Sequence, residues 1–161
     1  MRLTPAVVAA ERDRLRDRAP AIVDVLNDTR AHLADLFGVE VGTVTEDALR
    51  REVDAVFADG DLAVNVAAYV RLLRDLDVEG DYPGFVVDEV LGRELAATIA
   101  GGQPLGLLAG ATFHVADVRV HTDGPAGADD LDAALAAGFQ TRMPGWAWRE
   151  GSSPFAVDPV D

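Results

Sequence analysis

The chain has 161 residues, of which 49% are hydrophobic and 6% aromatic, so one domain with a core of Val, Leu, Ala and Ile is expected and global disorder is excluded. Its 28 acidic residues, 20 Asp and 8 Glu, face 14 basic ones that are all Arg, for a net charge of −14. That balance argues against nucleic acid, which requires a basic stripe, and suits a protein working in concentrated salt, where self-repulsion is screened.

No cysteine is present, which rules out disulfides, thiolate chemistry and Cys-ligated zinc. No apolar run reaches the roughly 18 residues of a membrane span. The charged N-terminal stretch does not read as a signal peptide. A virion or cytoplasmic location, with no membrane and no direct nucleic-acid partner, is therefore expected.

In chain order, Thr4-Pro5 marks a helix start, an N-cap followed by Pro in the first turn. The run "ERDRLRDR", Glu11–Arg18, interleaves acids and arginines and reads as a solvated helix face. Pro20 restarts the helix, and Ile22, Leu26, Thr29, Leu33 and Leu36 form one apolar stripe that Gly38 ends. Thr43, Thr45 and Glu46 supply a capping arrangement for a helix lined by Leu49, Val53, Val56 and Phe57. Asp59-Gly60 closes it, and Asp61 is expected to cap a third helix with Leu62, Val66, Tyr69, Val70, Leu73 and Leu76 on one face. After the turn cluster 77–84, a fourth helix is expected from Phe85 to about Ala100, striped by Phe85, Val86, Val90, Leu91, Leu95 and Ile99 and ended by Gly101-Gly102.

Beyond that point the sequence predicts a change of period. "GQPLGLLAG" reads as a Gly-punctuated connector, and the alternation from Thr112 to Thr122 reads as a strand. Asp129 or Asp130 is expected to cap a short Ala-rich helix carrying Leu131, Ala134 and Leu135, which Gly138 stops. "MPGWAWRE" suggests an edge strand, because Pro144 removes a donor. "GSSPFAVDPVD" is an extended tail. The expected architecture is α+β, mainly α: a helical domain over 1–103, a small mixed region over 104–150 and a tail over 151–161.

The segment "FHVADVRVHTDG", Phe113–Gly124, holds two of the three histidines, His114 and His121. On a strand, seven residues apart is an odd spacing, so the two point to opposite faces and cannot ligate one ion. His114 then ends an apolar face, as a satisfied core or edge histidine. His121 joins Asp117 and Arg119 in a surface network, and His32 borders the second helix's stripe. Ser152-Ser153 lies in a Pro-flanked tail without a nucleophile elbow. The glycines of "LGLLAG" are not followed by the G-K-[ST] of a phosphate loop. Asp129, Asp130 and Asp132 lack EF-hand spacing and are better read as helix N-terminal acids. No catalytic, cofactor-binding or metal-ligating set is expected. Trp146 and Trp148 share one side of a strand and suggest a buried or intersubunit anchor, with Arg149 and Phe155 as further interface candidates.

"VRVHTD" (Val118–Asp123), the stretch ending "LAAGFQT" (Leu135–Thr141) and "GWAWREG" resemble a core domain found with extracellular contractile injection systems, which are phage-tail-like particles. His121 falls on that family's motif histidine. The family's pattern continues into H-E-x-x-H, a zinc-protease helix that this sequence lacks, so the resemblance carries no peptidase activity. The expected function is a non-enzymatic structural or assembly protein of an oligomeric particle, such as a connector or neck component of a tailed virus or phage-tail-like assembly from a salt-adapted host. It would associate with itself and with other particle proteins. The alternatives are a small cytoplasmic interaction or regulatory protein of a halophile, and a degenerate metallopeptidase-like domain.

Overall fold

A computed structural model describes residues 1–76, 87–120, 126–146, 157 and 159, with the backbone alone at 88, 126 and 127. Seven helices form among the described residues: α1 (Pro5–Asp17), α2 (Ala19–Phe37), α3 (Glu46–Ala58), α4 (Gly60–Asp75), α5 (Val87–Ala100), α6 (Leu105–Asp117) and α7 (Ala126–Arg142).

The first four helices start where local chemistry directs. The Thr4 hydroxyl accepts from the Val7 N–H at 3.2 Å, ahead of Pro5. Pro20 stands in the first turn of α2, where its missing N–H costs nothing. Gly38 closes α2 at φ +62°, a left-handed cap that Gly adopts without strain. Thr45, rather than Thr43, caps α3 by accepting from the Ala48 N–H. Asp59, rather than Asp61, caps α4, accepting from the Leu62 N–H at 3.2 Å.

The second half corrects the sequence reading. Thr112–Asp117 is helical, not a strand, and α6 begins at Leu105 inside the expected connector. The physical reason is the burial pattern. Ala109, Thr112, Phe113 and Ala116 are buried in α6, at steps of three and four, and Val120 continues them just past its end. This is a helical stripe, and tertiary packing outweighs the β-propensity of the valines. Of the glycines that suggested a connector, Gly106 faces α5, while Gly102 and Gly110 have open space where a Cβ would stand. A Cβ on Gly106 would stand 3.6 Å from that of Ala97, so α5 and α6 approach closely there. The Thr122 end of the expected strand lies outside the described residues.

α7 is likewise longer than expected. It starts at Ala126 and passes through Gly138. A Cβ on Gly138 would come within 2.8 Å of the Ile99 Cβ and 3.0 Å of the Ala96 carbonyl oxygen, so the glycine seats α5 against α7 instead of ending the helix. Of the expected edge strand over 143–150, residues 147–150 lie outside the described residues; in the described part Trp146 forms an isolated antiparallel bridge with Val41.

α7 is the axis of the fold. Every residue from Asp130 to Thr141 is buried, and α2, α4, α5 and α6 pack around it. Ala133, Ala134, Ala136, Ala137 and Gly138 keep it thin enough for neighbours on several sides. The core runs continuously from Leu15 to Met143, so the described part of 104–150 shares one core with the helices before it.

Candidate functional site

Three buried polar centres and two apolar surface features stand out. The first centre is Arg30, 1% exposed. Its Nη1 donates to the carbonyls of Gly42 and Pro144, each at 2.7 Å. Its Nη2 donates to the carbonyls of Gln140 at 2.8 Å and Met143 at 3.0 Å. The guanidinium thereby holds the C-terminal carbonyls of α7, where the helix dipole favours a cation. It also ties them to the α2–α3 connection. The Trp146 ring lies 5.7 Å from the guanidinium carbon, and its indole N–H donates to the Gln140 carbonyl. Gly42 and Gly145 let the two segments touch: the Gly42 N–H donates to the Gly145 carbonyl at 2.9 Å. A Cβ on Gly145 would meet the Arg30 Nη1 at 2.8 Å.

The second centre is Glu11, fully buried. Its Oε1 accepts from Arg74 at 2.7 Å and Arg14 at 3.2 Å, with Arg71 at 3.6 Å. Three cations on one carboxylate fasten the end of α4 to α1. The third is Asp132 on α7, paired with the half-exposed Arg18. Burial pushes the Asp132 carboxyl above the ordinary aspartate range. The Arg18 guanidinium offsets part of this, and the neighbouring charge of Asp129 adds to it.

All three centres are internal fastenings of one helix to another. Neither Arg30 nor Glu11 stood out in the sequence. Arg30 follows Ile22 and Leu26 at steps of four, on the buried side of α2, and that spacing is the signal by which it could be found. Glu11 belongs to the run read as a solvated face, and only its neighbour Leu15, also buried, marks that side of α1 as interior.

The histidines do not converge on one another among the described residues. His114 is half-exposed on α6, not at the end of a buried face. Its Nδ1 lies 3.2 Å from a Glu89 carboxylate oxygen, and its ring meets Phe113 edge-on. His32 is partly buried on α2, as a boundary residue should be. His121 lies outside the described residues, with Trp148, Arg149 and Phe155. Trp146 is 2% exposed and is a buried anchor within its own chain. Among the described residues, no group of three or more His, Cys, Asp or Glu is placed to hold a metal ion, and no helix is long and apolar enough to cross a membrane.

On the surface, Leu36, Phe37 and Val39 lie exposed together at the end of α2, at 61%, 63% and 40%. Elsewhere a groove of about 390 Å³ opens between the first turns of α1 and α4 and the end of α3. Leu3, Val8, Phe57, Ala63 and Val64 line it, with Arg12 on its rim.

These features define a helical bundle built around a buried, small-residue helix and fastened by buried arginine and carboxylate centres. The chain belongs to the family described as a domain of unknown function, DUF7984, whose model matches residues 1–159. No curated protein and no solved structure matches it.

Proposed function

We propose that the chain is a non-enzymatic assembly protein of an oligomeric particle, such as a connector or neck component of a tailed virus or phage-tail-like assembly from a salt-adapted host. The apolar cluster Leu36, Phe37 and Val39 carries this reading. Two of its members are large side chains left mostly in water side by side, and such contiguous patches mark contact surfaces. Their backing is firm. Gly38 and the Val39 N–H bond to the Ala34 carbonyl fix the end of α2. Nearby, the Arg30 centre clamps the following residues to α7.

The charge of −14 sets the conditions for assembly. Copies of such a chain repel one another in dilute buffer, while at about 1 M salt the screening length falls to ~3 Å and the apolar contact prevails. The test is native mass by light scattering in ~2 M KCl and in dilute buffer, for the wild type and Phe37→Asp. The wild type is expected to form a closed oligomer in high salt that dissociates at low salt. Phe37→Asp should stay near 17.0 kDa in both. A wild type that is monomeric in both conditions refutes the proposal.

A further inference from the structure

We infer that the groove between α1 and α4 receives the C-terminal tail of a second copy of this chain, with Phe155 and Val157 entering its apolar floor and the tail's carboxylates meeting Arg12. The inference deepens the assembly reading and rests on it.

The groove's floor consists of Phe57, Ala63, Val64 and Val8, and its volume of about 390 Å³ accommodates two or three apolar side chains. The tail sequence supplies such side chains in the right order. Residues two apart in an extended chain share a side, so Phe155 and Val157 face one way. Asp161 follows Val157 by four residues, at most about 13–14 Å along an extended chain. The wall that α1 gives the groove, from Thr4 to Arg12, is about 12 Å long, because eight helical steps rise ~1.5 Å each. Val8 in the floor lies four helical steps, about 6 Å, from Arg12, so a tail running along this wall with Val157 over Val8 has length to spare to bring the Asp161 carboxylate to Arg12.

Arg12 can accept this second partner. Its present one is Asp13, with side chains 42% and 62% exposed, and pairs so open to water contribute little. The tail belongs to another copy because within its own chain Val157 is 88% exposed. Every copy carries both a groove and a tail. The contact therefore joins the tail of one copy to the groove of another, and can propagate from copy to copy.

The test uses two full-length variants. Val64→Glu places a charge in the groove at a position already 43% exposed, and Val157→Asp does the same to the tail at a position in open solvent, so both should retain the wild-type helical spectrum. Native mass is read in ~2 M KCl, for each variant alone and for a 1:1 mixture. Each variant alone is expected at 17.0 kDa, as Phe37→Asp is, because association needs the Leu36–Val39 cluster and the tail–groove contact together. The mixture should give a dimer of twice that mass, since one variant keeps an intact groove and the other an intact tail. If the wild type assembles and both variants still assemble like it, the tail–groove contact is wrong while the assembly reading stands. If each variant is monomeric but the mixture yields no dimer, the tail–groove contact is likewise wrong. If the wild type is itself monomeric, the assembly reading fails and this contact fails with it.

Discussion

Replacing Gly138 by Ala separates the packing role of this glycine from its effect on helix propensity. Mid-helix, Gly→Ala ordinarily stabilises by about 1 kcal/mol. At Gly138 the new methyl would lie 2.8 Å from the Ile99 Cβ, 3.0 Å from the Ala96 carbonyl oxygen and 3.1 Å from the Ala96 Cα. None of these atoms ends a flexible side chain. Relief requires α5 as a whole to shift off α7, and overpacking of this kind costs about 1–3 kcal/mol, here towards the upper end. The net expectation is a loss of about 2 kcal/mol, or roughly 4–8 °C in Tm for a chain of this size. Gly110 in α6 is the matched control, because a Cβ there meets nothing within 4 Å. Gly110→Ala should raise stability by about 1 kcal/mol. Urea and thermal unfolding followed by circular dichroism at fixed salt measure both. Equal stabilisation by the two substitutions would refute the close α5–α7 approach and, with it, the account of why Gly138 does not end the helix.

Two other buried centres give predictions of the same kind. Arg30→Met removes the donor to four carbonyls, those of Gly42, Gln140, Met143 and Pro144, and should cost at least about 3 kcal/mol in urea unfolding; a loss below ~1 kcal/mol would show that these bonds do not hold the α7 end. Asp132 titrates above its ordinary 3.8 in the folded chain, so its contribution to stability is full below that pH and is lost as pH rises through the raised folded value. Asp132→Asn abolishes this titration. The wild type should therefore lose stability relative to the variant as pH rises from about 4, and a difference in urea midpoints that does not change with pH would overturn the assignment.

The first hundred residues were legible because caps and stripes act locally. Thr4, Pro20, Gly38 and Thr45 each specify a helix end through atoms within four residues of themselves. The second half was misread because its glycines and alanines have non-local roles. Gly106 and Gly138 look like stops in isolation; Gly138 is interior to α7 because α5 leans on its missing Cβ, whereas Gly106 stands in the first turn of α6 in ordinary contact with Ala97. The strand expected through Thr112 arose from reading Val115, Val118 and Val120 as an alternating face. Thr112, Phe113 and Ala116 in fact set the buried side, with the Phe113 ring against Gly92 of α5 and α7 packed on the same helix. α7 itself carries no obvious apolar stripe because it has no solvent side from Asp130 to Thr141, and amphipathic periodicity vanishes when a helix is enclosed. Of the candidate anchors, Trp146 was legible as a buried aromatic, whereas Arg30, its partner, looked like one charge among fourteen.

The place of α7 in the chain governs the order in which the fold can come into being. The helix that fills the centre is also the last of the described helices, and its fastening to Arg30 joins positions 110 residues apart. A ribosome releases α1 to α6 before the element that they enclose exists. Until residue 142 has emerged, Leu26, Leu95, Ile99 and Phe113 lack the central helix around which α2, α5 and α6 pack, and the apolar surface left open must be kept from neighbouring chains. Closure is thus a late, long-range event with a large loop to draw in, slow by the standards of helical proteins. A chain cut short just before α7 would hold α1 to α6 without the helix around which α2, α4, α5 and α6 pack.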